Sequence, residues 1–398
     1  MRLPAYLLGM KSIELFSGAG GLALGLEQAG FDSVALFERN HDACASLRHN
    51  RPDWNIVQGD VRDVDYTRYG HVDLVAGGPP CQPFSMGGKA RGYQDKRDMF
   101  PEAVRAVREL RPIAFIFENV RGLLRSAFSD YVEFIRLQLT HPGFPVSENV
   151  DWPTNLRRLQ RHHTSKNRSE ELVYNVTINL ADAANYGVPQ RRHRVFFVGF
   201  RHDLNVGWSF PSPTHTQDDL IRAKYVTGDY WSEHGVVGRA VLPSEKLLRK
   251  IEGLRSGDLL PFTHRWTTVR DALRGLPEPG NSSNPTNHRL QPGARSYPGH
   301  TGSPLDEPAK ALKAGDHGVP GGENMLRRAD GGVRYFTVRE SARLQTFPDD
   351  YVFQGSWTES MRQLGNAVPV QLAKVVASSV AAKIIPLTRP TTSRRSHA

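Results

Sequence analysis

Two cysteines are too few for a disulfide framework or for a multi-cysteine zinc site. A reducing compartment is therefore expected, and a metal site is not. Long apolar runs are missing as well: none reaches the roughly eighteen residues that a membrane helix needs. The opening Leu3-Pro4-Ala5-Tyr6-Leu7-Leu8 is short and broken by proline, which excludes a signal peptide, and Met10 is an alternative start. No internal repeat is present. Acidic residues are in the minority, 41 against 51 Lys and Arg, for a formal charge of +10. That surplus points to a polyanionic partner, most simply nucleic acid. Hydrophobic content of 39% and charged content of 23% are those of an ordinary globular chain, and 398 residues make two domains the default.

What is present from Lys11 to about Phe200 is an alternation of strand-like and helix-like stretches. Strands are expected at Ser12–Phe16, Ser33–Phe37, Asn55–Gln58, Val72–Ala76, Ile113–Phe117, Asn175–Leu180 and Arg194–Phe200, with helices at Gly21–Ala29 and His41–His49. This rhythm predicts a mostly parallel sheet covered on both faces, which binds ligands at its carboxyl edge. Thr154 to Arg168, rich in Arg and His, reads as a solvated insertion. After His202 the chain becomes rich in Gly, Pro, Asn and His, as a loop-rich inserted domain would be. Helical spacing returns at Val338–Gln345 and Val370–Ile384, and Thr388–Ala398 reads as a disordered tail.

Five features near the predicted strand ends carry chemistry. Phe16-Ser17-Gly18-Ala19-Gly20-Gly21 joins a strand to a helix, where backbone amides approach a ligand closely; a tight turn without a ligand is the alternative. Glu38 and Asp60 end the next two strands and suit a ribose and an adenine amino group, or else a solvated strand end or helix cap. Gly77-Gly78-Pro79-Pro80-Cys81-Gln82-Pro83-Phe84-Ser85 holds one thiol on a stiff turn, as a nucleophile requires; a buried free thiol is the alternative. Glu118-Asn119-Val120 brings a carboxylate to the same edge, and Gln190-Arg191-Arg192-His193-Arg194 concentrates guanidinium groups, for phosphate binding or as an ordinary basic surface. The second cysteine, Cys44, sits among apolar helix neighbours and reads as core.

The order of these blocks resembles the DNA (cytosine-5) methyltransferases of prokaryotic restriction-modification systems. Arg339-Glu340-x-Ala342-Arg343-Leu344-Gln345-x-Phe347-Pro348 and Gln363-Leu364-Gly365-Asn366-Ala367-Val368-Pro369 extend the resemblance, which spans residues 11 to about 385 except for a variable stretch near 201–330. It implies an α/β fold: a Rossmann-like, S-adenosyl-L-methionine-dependent large domain over 11–200 and 355–386, after a 1–10 extension. A smaller target-recognition domain would occupy 201–354 and a basic tail 387–398. Cys81 would attack C6 of a flipped-out cytosine, Glu118 would hydrogen-bond N3 and the exocyclic amine, Arg194 would hold O2, and Arg192 would position the site. Phe16, Gly18, Gly20, Gly21, Glu38, Asp60, Pro80 and Asn366 would bind the cofactor. The stretch Ser85 to Asp98 resembles a loop that closes over the base, so Gln82, Ser85, Lys89, Arg91 and Arg97 are candidate DNA contacts, together with Lys313, Asn324 and Arg327 in the variable region. Gly87 stands where some members carry a gap-filling serine. The expected partner is double-stranded DNA; a cognate restriction endonuclease in the same system, not in direct contact, and a solitary methyltransferase are both compatible with the sequence. The chain is expected to be a cytoplasmic monomer without membrane contact. Two rivals are a tRNA-methylating branch, whose Cys-Phe-Thr tripeptide is absent, and a silent DNA-binding module, against which Cys81, Glu118, Arg192 and Arg194 count.

Overall fold

Near-continuous apolar runs form the middle of the sheet, because strands covered on both faces have no solvent side to alternate with. A computed structural model describes residues 9–80, 98–147, 149–165, 171–236, 244–256, 263–280, 285–314, 322–328 and 330–388. Its first half runs β1 (Met10–Leu15), α1 (Gly21–Gln28), β2 (Phe31–Glu38), α2 (His41–Asn50), β3 (Ile56–Gln58), β4 (Leu74–Gly77), α3 (Phe100–Leu110), β5 (Ala114–Val120), α4 (Ser129–Thr140), α5 (Trp152–Thr164), β6 (Tyr174–Asp182), β7 (Gln190–Arg191) and β8 (His193–Arg201).

The main sheet has the order β3-β2-β1-β4-β5-β8-β6. Strands β1 to β5 are mutually parallel, and β8 runs antiparallel to both β5 and β6. The chain moves outward from β1 to β3 and then returns to place β4 on the other side of β1. That reversal opens a crevice at the carboxyl ends of β1 and β4, where ligands of such sheets bind. Alternate side chains serve the two faces. Phe115, Phe117, Val195 and Phe197 pack under α3, α4 and α5, while Ala114, Ile116, Phe196 and Val198 pack under α1 and the last helix.

The remaining elements are β9 (His215–Thr216), α6 (Gln217–Tyr225), α7 (Asp229–Glu233), α8 (Glu245–Ser256), β10 (His264–Arg265), α9 (Val269–Leu273), β11 (Ser303–Pro304), β12 (Ala309–Lys310), β13 (Met325–Arg327), β14 (Val333–Tyr335), α10 (Val338–Leu344), α11 (Trp357–Asn366) and α12 (Val370–Thr388). Between Leu220 and Leu344 the core is divided into small clusters, one around Tyr230 and Trp266 and another around Val269, Leu312 and Phe336. β12 pairs in parallel with β7, which ties this region to the strand before β8. Val338, Ala342, Phe347, Tyr351 and Phe353 pack with Ala19, Leu24, Met361 and Val370, so one apolar cluster spans residues on both sides of position 354.

Two expectations change. Residues 154–164 of the stretch read as a solvated insertion belong to helix α5, whose Asn155, Leu156 and Leu159 are buried while Arg157 and Arg161 are exposed. Its apolar positions are few, and the many Arg and His residues around them masked the stripe. The variable region also holds a two-to-three-turn helix, α6, and the longer α8, not loops alone. The stretch Trp357–Thr388 is long and apolar enough by composition to cross a membrane, yet more than half of its most apolar window is buried in the core. Cys44 is fully buried and its thiol points to the Glu38 carbonyl at 3.4 Å. Burial, with the Glu38 carboxylate nearby, pushes that thiol up to about 11, which makes it an inert core residue.

Candidate active site

The turn after β1 is built from backbone geometry that few residues accept. Phe16 has φ 57 and Gly18 φ 53. Gly20, at φ 81, starts α1 in the left-handed region. Gly21 is required for a different reason: a Cβ there would overlap the carbonyl oxygen of Val368. The turn is bound to the next two strand ends. Ser17 N donates to the Phe37 carbonyl at 3.1 Å and Gly59 N to the Glu38 carbonyl at 3.0 Å. The Glu38 carboxylate accepts from Gly18 N at 2.7 Å, Arg39 N at 2.8 Å and Asn40 N at 2.7 Å. Phe16, Gly18, Glu38 and Asp60 are thereby drawn to one edge.

Asp60 accepts from Arg62 Nε at 2.9 Å and Nη2 at 2.5 Å, and caps a short 3-10 turn through Arg62 N. The Arg62 guanidinium holds its carboxyl down at about 2. A Cβ on Gly18 or on Gly59 would meet nothing within 4 Å, so open space adjoins both carboxylates. An aromatic ring, two carboxylates at successive strand ends and free backbone space fit the adenosine part of S-adenosyl-L-methionine. Asn366 is exposed at the end of α11, and the Ala367 and Val368 that follow it lie against Gly21.

Across the switch point, β4 ends at Gly77, where a Cβ would come within 2.5 Å of the Leu15 carbonyl oxygen. Pro79 is buried and Pro80 exposed. Asn119 Nδ2 donates to the Pro79 carbonyl at 3.0 Å from a buried position. Gly78 lies beside Glu118: a Cβ on it would be 3.4 Å from Glu118 Oε2. Met99 N returns to the Pro80 carbonyl at 3.3 Å. Cys81, Gln82, Ser85, Lys89, Arg91 and Arg97 lie outside the described residues, as do Gly87 and most of the expected closing loop.

Glu118 is 6% exposed and ion-paired with Arg194, which is 9% exposed. Burial pushes the Glu118 carboxyl up, opposed by Arg194 and Arg192. Burial also pulls the Arg194 guanidinium down, against the attraction of Glu118. Arg192 is 1% exposed and donates to the carbonyls of Leu312 at 2.8 Å and Gly365 at 2.5 Å. Burial, and then repulsion from Arg194, drives it well below its ordinary value. One carboxylate and two guanidinium groups thus share a buried site with a net positive charge, which favours added negative charge.

The variable-region candidates separate. Asn324 is fully buried; its carboxamide accepts from Lys313 N and donates to Lys313 O, both at 2.9 Å, and so shapes a turn. Lys313 is half exposed and pairs with Glu323 at 2.8 Å. Arg327 is exposed on β13. Several motif residues prove to be carbonyl latches, a role the sequence reading did not assign. Gln190 accepts from Leu312 N at 3.0 Å and donates to Leu344 O at 3.2 Å. Gln345 donates to Leu364 O at 2.5 Å, and Arg339 to Pro348 O at 3.1 Å and Tyr351 O at 2.8 Å. Glu340 closes a capping box with Thr337 and pairs with Arg334.

The family model for C-5 cytosine-specific DNA methylase matches residues 10–150 and 125–382. The chain is 35% identical over 376 residues to the Type II methyltransferase M.Eco47II of Escherichia coli, across 92% of this chain and 78% of that protein. It is 33% identical over 369 residues to the Type II methyltransferase M.NgoMIV of Neisseria gonorrhoeae, across 93% and 96%. The crystal structure of the S. pombe Dnmt2 methyltransferase shares the fold, with a TM-score of 0.54 at 18% identity over 96% of this chain and 100% of that one.

Proposed function

Because this chain belongs to the C-5 cytosine-specific DNA methylase family and is a DNA cytosine-5 methyltransferase, we propose that it acts on a cytosine flipped out of a short double-stranded sequence, through covalent addition of Cys81 at C6. The observation that carries this reading is the buried Glu118–Arg194 pair beside the turn that leads into Cys81. Cytosine resists addition because attack at C6 leaves electron density on the ring. A carboxyl whose affinity for a proton is raised by burial hydrogen-bonds N3 and the exocyclic amine, while Arg194 holds O2. Arg192, fixed to two distant carbonyls, keeps the strand carrying Arg194 in place. Asn119 fixes the Pro79 carbonyl, and so the turn before the nucleophile.

S-adenosyl-L-methionine, when bound, supplies the methyl group. Phe16, Glu38, Asp60, Pro80 and Asn366 with Gly18, Gly20 and Gly21 would hold it. After transfer a water-mediated base removes the C5 proton and Cys81 departs. Flipping costs a few kcal/mol of unstacking, which contacts from the stretch after Cys81 and from Lys313 and Arg327 offset. Similarity to Type II methyltransferases supports a role in protecting DNA from a cognate endonuclease.

Transfer of tritiated methyl groups from S-adenosyl-L-methionine to DNA and to tRNA tests the reading. Labelled DNA that releases 5-methylcytosine on digestion is expected. No transfer to DNA of diverse sequence would sink it.

A further inference from the structure

At the far end of the sheet from the Glu118–Arg194 pair, two imidazoles and a carboxylate converge. His141 caps α4 and is 1% exposed, His162 lies in the last turn of α5, and Glu171 precedes β6. Glu171 Oε1 is 3.1 Å from His141 Nδ1 and 2.9 Å from His162 Nε2, and all three atoms lie within 4.8 Å of one another. Register places them at the amino edge: Tyr174 of β6 pairs with Arg201, and Phe200 pairs with Ala114 at the start of β5. Glu118 and Arg194 occupy the opposite edge.

We propose that His141 Nδ1, His162 Nε2 and Glu171 bind one divalent transition-metal ion, Zn2+ by donor type, at a structural site with water completing the shell. The argument begins with spacing. Bonds of zinc to imidazole nitrogen and carboxylate oxygen set tetrahedral ligand edges at about 3.3 Å, and the two measured contacts to Glu171 are close to that. Charge points the same way. Among the described residues the ion-pair partners of Glu171 are these two imidazoles alone, and its second oxygen is buried without a hydrogen-bond partner. A largely covered carboxylate, one oxygen of which is buried without a partner and the other faces only imidazoles, is electrostatically incomplete. The outer shell also fits. His141 Nε2 lies 2.9 Å from His163 Nδ1, the orienting contact that metal-bound imidazoles make through their other nitrogen. Phe144 covers His162 at 4.7 Å between ring centres.

A second group of similar composition shows the contrast. Glu233, His234 and Asp271 also converge. There, however, Arg265 reaches both Asp271 oxygens at 2.7 and 2.9 Å and Glu233 at 2.8 Å, and Arg274 reaches Glu233 at 3.0 Å. Guanidinium groups already supply the positive charge at that place. No arginine or lysine among the described residues does so at Glu171.

The test uses the full chain, stripped with a chelator and dialysed against Zn2+ or Co2+. Elemental analysis is expected to find about one retained Zn2+ per chain, Co2+ to give the intense visible bands of four-coordinate nitrogen and oxygen ligation, and Zn2+ to raise Tm by about 3 °C or more. H162A and E171Q are expected to lose all three responses. Methyl transfer by H162A should change by less than about two-fold, since the site is remote from the Glu118–Arg194 pair. Absence of retained zinc and of the cobalt bands in the unaltered protein overturns the proposal, whether or not the variants fold. Undiminished stoichiometry in folded H162A overturns it equally.

Discussion

The Arg194 guanidinium meets the Glu118 carboxylate in a contact that solvent barely reaches. A buried pair of this kind is costly to break from one side, because the remaining charge has no partner. R194A is expected to destabilise the protein by about 3 kcal/mol in chemical denaturation, and the double variant R194M/E118Q to recover part of that loss. E118Q alone should lower kcat by about 10^2-fold or more while DNA binding is retained. A double variant no more stable than R194A would mean that the pair is not electrostatically coupled.

C81S should abolish turnover, by about 10^3-fold or more, yet leave DNA binding intact, since a hydroxyl is a far weaker nucleophile than a thiolate. Gel-shift and methyl-transfer measurements on the same preparation check this. Near-normal turnover would rule out the covalent role.

Asn119 is a positioning residue, and its loss should show a kinetic signature that packing alone does not produce. N119A removes the donor to the Pro79 carbonyl and is expected to cost about 1–2 kcal/mol of stability. Its kcat should fall further than its KM for cofactor rises, because the turn before Cys81 loses its anchor while the Glu38 side of the crevice does not. Equal changes in both parameters would argue against this assignment.

G21A should lose about 2 kcal/mol or more, together with cofactor affinity, because the added methyl overlaps the Val368 carbonyl. G59A is the matched control: its Cβ meets nothing within 4 Å, so its stability should remain within about 0.5 kcal/mol of the parent. Equilibrium unfolding and S-adenosyl-L-methionine titration of the pair separate crowding from a general loss of glycine.

His141 gives the stability a pH dependence of known sign. Burial pulls its imidazole from 6.5 to about 4, against the attraction of Glu171. Between those values the unfolded chain takes up the proton and the folded chain does not, so acid favours unfolding. In the presence of chelator, stability should rise with pH from about 4 to 6.5, and H141F should flatten that rise. An unchanged slope in H141F would assign the effect to another group.

The sheet and its strand ends were legible in the sequence because central strands such as β4 and β5 read as near-continuous apolar runs, and because Glu38, Asp60, Gly78 and Glu118 lie at or just beyond strand ends. Helix α5 was not, since Leu156 and Leu159 are isolated among Arg and His and form only a narrow stripe. Asn324 matched the chemistry of base recognition, yet it is fully buried against the backbone of Lys313. Residue type cannot distinguish an amide offered to solvent from one that closes a turn. The latch roles of Gln190, Arg192 and Gln345 depend on carbonyls far along the chain, such as Gly365 for Arg192. No local pattern encodes such a partner.

Gly21 and Gly25 of α1 receive Val368 and Ala373, so a helix synthesised early closes against one synthesised much later. A nascent chain emerging from the ribosome carries Phe16, Glu38, Asp60 and Cys81 long before the piece that covers α1 exists. Translation proceeds at about 5–20 residues per second, so for many seconds the early half has an uncovered apolar face and an unfinished cofactor turn. The cofactor turn therefore closes only once Val368 and Ala373 have been added, and a chain terminated before them leaves α1 uncovered.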